Sequence, residues 1–165
     1  MKSITKCLSV TLTAIAAGCF IANAQMPVLN TGVGPAIAGS YNPNNLPERA
    51  LKFVRDYYGN HYAKSCEKDY NTENYDLTMT DGTEIEFDYQ GKVMEIEAPD
   101  NSVISADAVK KIVPRDVYKK LAELGVTDKI EKIDREKRGF DIDLTDGANL
   151  NELYISTDGK LLAQK

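Results

Sequence analysis

The sequence has little of what most active sites are made from. Its 165 residues include one histidine, no tryptophan, four phenylalanines and three cysteines. A single histidine excludes a metal centre built from several imidazoles. It also leaves His61 as the only imidazole base for serine or cysteine chemistry. No G-x-S-x-G, H-E-x-x-H, C-x-x-C or phosphate-loop pattern occurs. Basic residues are outnumbered, 20 against 25, and a net charge of −5 argues against nucleic acid as a partner. What is present is ordinary for a folded protein: 42% of residues are hydrophobic, too many for a disordered chain.

The most apolar stretch lies at the start. Met1-Lys2 and Lys6 form a basic lead, Leu8 to Ala22 an apolar run, and Ala22-Asn23-Ala24 a small-residue cleavage site before Gln25. Residues 1–24 are therefore expected to be a secretory signal peptide, too short and wrongly flanked for a membrane span. The alternative is a lipoprotein anchored through Cys19, because Ala16-Ala17-Gly18-Cys19 resembles an acylation site. Against it, the apolar run continues through Phe20-Ile21-Ala22. Cleavage after Ala24 leaves 141 residues with 18 basic and 25 acidic side chains, enough chain for one core. Two cysteines leave with the signal, so Cys66 is alone and no internal disulfide forms. It reads as a half-buried strand thiol.

Gln25 to Asn45 is rich in glycine, proline and asparagine and reads as a flexible linker. From Leu46 the chain repeats itself. Tyr75-Asp76-Leu77-Thr78-Met79-Thr80-Asp81-Gly82 matches Phe140-Asp141-Ile142-Asp143-Leu144-Thr145-Asp146-Gly147, 65 positions on. Leu46-Pro47-Glu48-Arg49 matches Val113-Pro114-Arg115-Asp116, and Gln90-Gly91-Lys92-Val93 matches Asp158-Gly159-Lys160-Leu161. Three landmarks in one order define a repeat, with units at about 46–97 and 105–165.

Each unit reads as helix followed by β-meander. In the first, Pro47 suits an initial turn, Ala50, Phe53, Val54 and Tyr57 share a face, and Gly59 ends the helix. In the second, Ser105 caps a helix over Ala106 to Val113. Pro114 starts another, with Val117, Leu121 and Leu124 inward and Gly125 as terminator. Tyr75, Leu77 and Met79 alternate on one strand, Ile85, Phe87 and Tyr89 on the next. A three-residue loop, Thr80-Asp81-Gly82, keeps Leu77 opposite Ile85, whereas a two-residue loop would oppose it to Glu86. The same rule in the second unit sets Ile142 opposite Leu150, with a bulge near Asn151-Glu152. A two-residue loop at Gln90-Gly91 pairs Phe87 with Met94 and Ile85 with Ile96.

The stretches LPERALKFVRDYYG…YDLTMTDGTEIEFDYQGKVMEIE and VPRDVYKKLAELG…IEKIDREKRGFDIDLTDG…DGKLL resemble the PepSY-like, β-lactamase-inhibitor-like family of secreted bacterial proteins over about Leu46 to Lys165. The resemblance implies an α+β fold: two tandem helix-plus-meander units joined in one antiparallel sheet, helices on one face and the other face open. It also implies binding of a protein by that open face.

The chemistry on the open face is acidic. The expected registers set Asp76 opposite Glu86, Glu86 opposite Glu95, and Glu84 opposite Glu97, with Asp88 nearby. In the second unit Asp141 and Asp143 are expected to face Asn151 and Asn149. Like charges directly opposed weaken a sheet. Asp76, Glu84, Glu86, Asp88, Glu95, Asp141 and Asp143 are thus the candidate residues for docking a basic protein. No cofactor, resident metal or catalytic residue is expected. Asp141-x-Asp143-x-x-Asp146-Gly147 superficially follows a Ca²⁺ loop, but its apolar alternation demands a strand. The reading that results is a periplasmic or secreted non-catalytic binding module, an inhibitor or envelope-maintenance factor. A small-molecule or cation carrier is the alternative, and a hydrolase using His61 is the weakest. The cleavage site is testable by intact mass: the secreted protein is expected to begin at Gln25, and a diacylated Cys19 terminus would overturn that.

Overall fold

The structure is a computed structural model and describes residues 41–145 and 151–164. The chain runs α1 (Glu48–Tyr58), β1 (Ala63–Lys68), β2 (Tyr75–Met79), β3 (Glu84–Phe87) and β4 (Val93–Glu97). It continues through α2 (Ala106–Ile112), α3 (Arg115–Leu124), β5 (Ile130–Arg135), β6 (Gly139–Leu144), β7 (Glu152–Ser156) and β8 (Leu161–Gln164). All eight strands form one sheet in chain order, each antiparallel to the next. The two repeat-like units meet where β4 pairs with β5, and the fold is α+β as expected.

The helices form where apolar residues recur at helical spacing. In α1, Ala50, Phe53 and Val54 are buried, and Phe53 meets Phe87 of β3 edge-on with ring centroids 6.1 Å apart. Ser105 caps α2, its Oγ accepting from the Ala108 N–H at 3.3 Å, and Pro114 separates α2 from α3. Val117 and Leu121 of α3 are fully buried, whereas Leu124, expected inward, is 37% exposed because it ends the helix beside Gly125. Tyr89 is also exposed, since β3 stops at Phe87 and Tyr89 falls in the following turn. Phe87, Ile96, Ile133, Phe140 and Ile142 are fully buried on the helix side of the sheet. Each such side chain contributes roughly 1.5–3 kcal/mol by leaving water. The folded part begins before the composition change at Leu46. A short 3-10 turn, Pro43–Asn45, packs with Pro43 buried, and the Tyr41 N–H donates to Cys66 O at 2.7 Å.

The turns decide the registers. Thr80-Asp81-Gly82 is a three-residue loop, Gly82 lies at φ 99°, and Leu77 faces Ile85 as the apolar alternation requires. The next turn differs from expectation. The Asp88 N–H donates to Lys92 O and the Gly91 N–H to Asp88 O, which makes another three-residue loop rather than a two-residue one. Phe87 therefore pairs with Val93, not Met94. A register shift between Glu86 and Phe87 then restores Glu86 opposite Glu95 and Ile85 opposite Ile96. The β7–β8 turn repeats these bonds, Ser156 N to Lys160 O and Gly159 N to Ser156 O, with the same shift between Tyr154 and Ile155.

The β6–β7 register overturns the expectation for the second unit. Ile142 faces Leu153, not Leu150, so Asp141 faces Tyr154 and Asp143 faces Glu152. A longer connection matches Phe140 and Ile142 to Ile155 and Leu153 with no bulge, burying four apolar residues instead of stranding them. Asn149, Leu150, Asp146 and Gly147 lie outside the described residues.

The two equivalent turns each carry a glycine pressed against a helix start. At Gly91, φ 75°, a Cβ would lie 2.7 Å from Ala50 N; at Gly159, φ 82°, it would lie 2.6 Å from Asp116 O. Both positions combine positive φ with backbone contact, so no rotamer relieves a side chain there. Gly91→Ala and Gly159→Ala are each expected to cost about 2–3 kcal/mol. Gly125→Ala, where nothing lies within 4 Å, is expected to cost about 1 kcal/mol. Urea midpoints check the ranking; equal costs at all three would show that the turns do not press on the helices.

Candidate functional site

Alternation that buries one side of each strand turns the intervening residues to the opposite side, and in this chain they are mostly acids. Successive pairings run Glu67 to Asp76, Asp76 to Glu86, Glu86 to Glu95, Glu95 to Asp134 and Asp134 to Asp141. Six carboxylates thus stand in one row across β1 to β6, and Tyr154 on β7 continues it. A second row runs Thr78, Glu84, Glu97, Lys132, Asp143 and Glu152.

The structure brings six of the seven expected residues onto this face: Asp76, Glu84, Glu86, Glu95, Asp141 and Asp143. Asp88 is the exception. Its Oδ1 accepts from the Gln90 N–H at 2.9 Å and the Lys92 N–H at 2.8 Å, so it shapes the turn instead. Glu67, Asp134 and Glu152 were not foreseen. On β1 and β5 the buried residues are three apart, Ala63 and Cys66, Ile130 and Ile133, because each strand carries a bulge near its start. That spacing hides the two-residue alternation that would have revealed Glu67 and Asp134.

The face is electrostatically strained, and Lys132 is set into its second row. Lys132 Nζ lies 2.5 Å from Glu95 and 3.1 Å from Glu97, and these carboxylates raise its proton affinity. The Asn74 amide donates to Glu86 Oε1 at 2.6 Å. Partial burial first, then neighbouring carboxylates, hold Asp76, Asp134 and Asp143 above the ordinary range. Glu86 is raised too, by burial and by Asp76, Glu95 and Asp134, against the lowering effect of Asn74.

The other candidates are structural. Cys66 is fully buried rather than half-buried, and burial pushes its thiol up to about 12, leaving no thiolate near neutral pH. His61 is half-buried, with Nδ1 3.4 Å from Asp81 Oδ2. Asp141 and Asp143 lie on a regular strand, which no Ca²⁺ loop would permit. Among the described residues no group of three or more acids, histidines or cysteines is placed to hold a metal ion. No helix among them is long and apolar enough to cross a membrane.

Among the described residues an eight-stranded antiparallel sheet carries helices on one side and a bare face on the other, which places the protein in the α+β class. Residues 73–163 match the family described as "Putative beta-lactamase-inhibitor-like, PepSY-like", and the chain belongs to it, as its repeated motifs suggested. A candidate periplasmic protein of unknown function from Bacteroides vulgatus ATCC 8482 is 25% identical. The match covers 74% of this chain and 93% of that one, with a TM-score of 0.56. A second candidate periplasmic protein of that strain is 23% identical over 74% and 91% of the two chains, with a TM-score of 0.59. A protein of Bacteroides thetaiotaomicron, described as a candidate calcium-regulated periplasmic protein, is 22% identical over 73% and 91%, with a TM-score of 0.57. No curated protein matches the chain.

The raised carboxylates make stability depend on pH in a defined direction. A carboxyl whose folded pKa is raised binds its proton more tightly in the folded than in the unfolded chain. Its ionisation therefore removes stability as pH rises through the folded value. Acidification restores that stability until the unfolded value, roughly 4, is passed. Glu86→Gln is expected to stabilise the protein at pH 7 by a few tenths to about 1 kcal/mol, with the gain gone below about pH 4. Urea titrations at both pH values check this; an equal gain at both would mean that charge is not the cause.

Proposed function

We propose that the protein is a non-catalytic binding module of the cell envelope that docks a basic protein against the open, acidic face of its sheet. The observation that carries this reading is the row Glu67, Asp76, Glu86, Glu95, Asp134 and Asp141, acids opposed across six neighbouring strands. Such a row weakens the isolated sheet, and a cationic surface laid over it would relieve the repulsion. Asp76, Glu84, Glu86, Glu95, Asp141 and Asp143 then contact the partner, joined by Glu67 and Asp134, while Asp88 keeps its turn. Membership of a family described as inhibitor-like supports protein binding as the mode of action. The apolar start and its small-residue cleavage site, together with a fold neighbour described as periplasmic, support export to the periplasm or beyond. The high proton affinity of the buried Cys66 thiol speaks against a nucleophilic role for it.

The test is a pull-down from an envelope extract with the mature protein as bait. A basic protein is expected to be recovered at low ionic strength and released as salt rises. The pair Glu86→Gln and Asp134→Asn is expected to lower recovery several-fold while leaving the bait at least as stable. Recovery unaffected by both salt and the double substitution would sink the reading.

A further inference from the structure

On the helix side of the sheet, α1, α2, the β3–β4 turn and the end of β5 line an open cleft. Its floor is apolar, made by Phe53, Val93 and Ile112, which are only 6–7% exposed. Its rim is strongly basic: Arg49, Lys52, Lys92, Lys111 and Arg135 line it against one carboxylate, Asp56. Asp56 is already bonded to Lys52. Asp88 is the other nearby acid, and its Oδ1 is taken up by the backbone of its own turn. Among the described residues, none of Arg49, Lys92, Lys111 and Arg135 forms an ion pair.

Arg135 is held as a fixed wall of this cleft. Its Nε donates to Val93 O at 3.1 Å, its Nη2 donates to Ile112 O, and its guanidinium lies 4.5 Å from the Phe140 ring centroid. It thus ties α2, β4 and β6 together while keeping a positive charge half-buried at the cleft. Burial makes both Lys92 and Arg135 less basic than usual, reinforced by Arg135 and Arg49 at Lys92 and by Arg49 at Arg135. In a chain with five more acids than bases, four cations gathered with no ion pair among the described residues, beside apolar side chains, call for an anion from outside.

We propose that the cleft binds a small amphipathic anion, a phosphate monoester or carboxylate bearing a short apolar chain. The headgroup sits among Arg49, Lys92, Lys111 and Arg135, and the chain lies over Phe53, Val93 and Ile112. A phosphate or carboxylate gains charge-assisted hydrogen bonds from the rim cations, beside the fixed charge of Arg135. The apolar floor supplies the rest of the affinity and rejects bare inorganic anions. The site is separate from the acidic face, and neither reading depends on the other.

The experiment measures binding of hexyl phosphate and of hexanoate to the full chain by calorimetry or NMR titration. Inorganic phosphate and hexanol each supply only half of the ligand. One or both hexyl anions are expected to bind saturably, at least about ten-fold more tightly than either half-probe. The tighter of the two identifies the headgroup as phosphate or carboxylate. Arg49→Gln with Lys111→Gln, both exposed positions, is expected to weaken that binding by about ten-fold or more. Arg49→Lys, which keeps the charge, is expected to retain most of it. The proposal is overturned if no probe saturates, if hexanol or inorganic phosphate binds as tightly as the hexyl anions, or if the double variant binds undiminished.

Discussion

Ile96 on β4 faces Ile133 on β5, and both are fully buried. This pairing joins two four-stranded meanders into one surface with a continuous core. It works only if every strand keeps its apolar residues on the helix side, because a one-residue slip would turn a strand's buried set to water. The irregular features of the sheet follow from that constraint. The bulges near the starts of β1 and β5 and the shifts after the Gly91 and Gly159 turns each correct a parity that a loop or strand end would otherwise spoil.

The same constraint makes the opposite face what it is. With the apolar residues committed inward, the outward positions are free to vary, and here they are acidic in register across six strands. Lys132 stands in the second row between Glu95 and Glu97, away from the opposed acids of β2 and β3. The helix side carries the opposite sign in a basic cleft, where Arg135 links backbone carbonyls of β4 and α2. A chain of modest net charge is thus strongly polarised, negative over the bare sheet and positive between the helices. Two surfaces of opposite charge suit different occupants, so the proposed protein partner and the proposed small anion are independent readings.

Much of this was legible in the residues. Helices with apolar stripes at 3.6-residue spacing, strands with two-residue alternation, and turns marked by Asp-Gly or Gly-Lys are local patterns, and they placed α1, α2, α3, β2 and β3. The opposition of Asp76 and Glu86 follows from alternation plus one loop length, whereas Glu86 meets Glu95 only because a bulge offsets the extra residue of the second loop. The β6–β7 register is not legible from loop analogy with the first unit, because burial of Leu153 and Ile155 sets it.

By itself, the sequence determined the fold class, the repeat and the acidic character of the outward positions, since each depends on spacing within a few residues. Tertiary structure alone decided that the row extends from Glu67 to Asp141, because that needs the β4–β5 seam and two bulged strands whose three-residue spacing conceals them. It alone assembled the basic cleft. Arg49, Lys92, Lys111 and Arg135 come from two helices, a turn and a strand end, and no local pattern relates residues so far apart in the chain. Periodicity reports which side of an element faces the core. Which elements become neighbours is set by packing over long sequence separations, and there the charges meet.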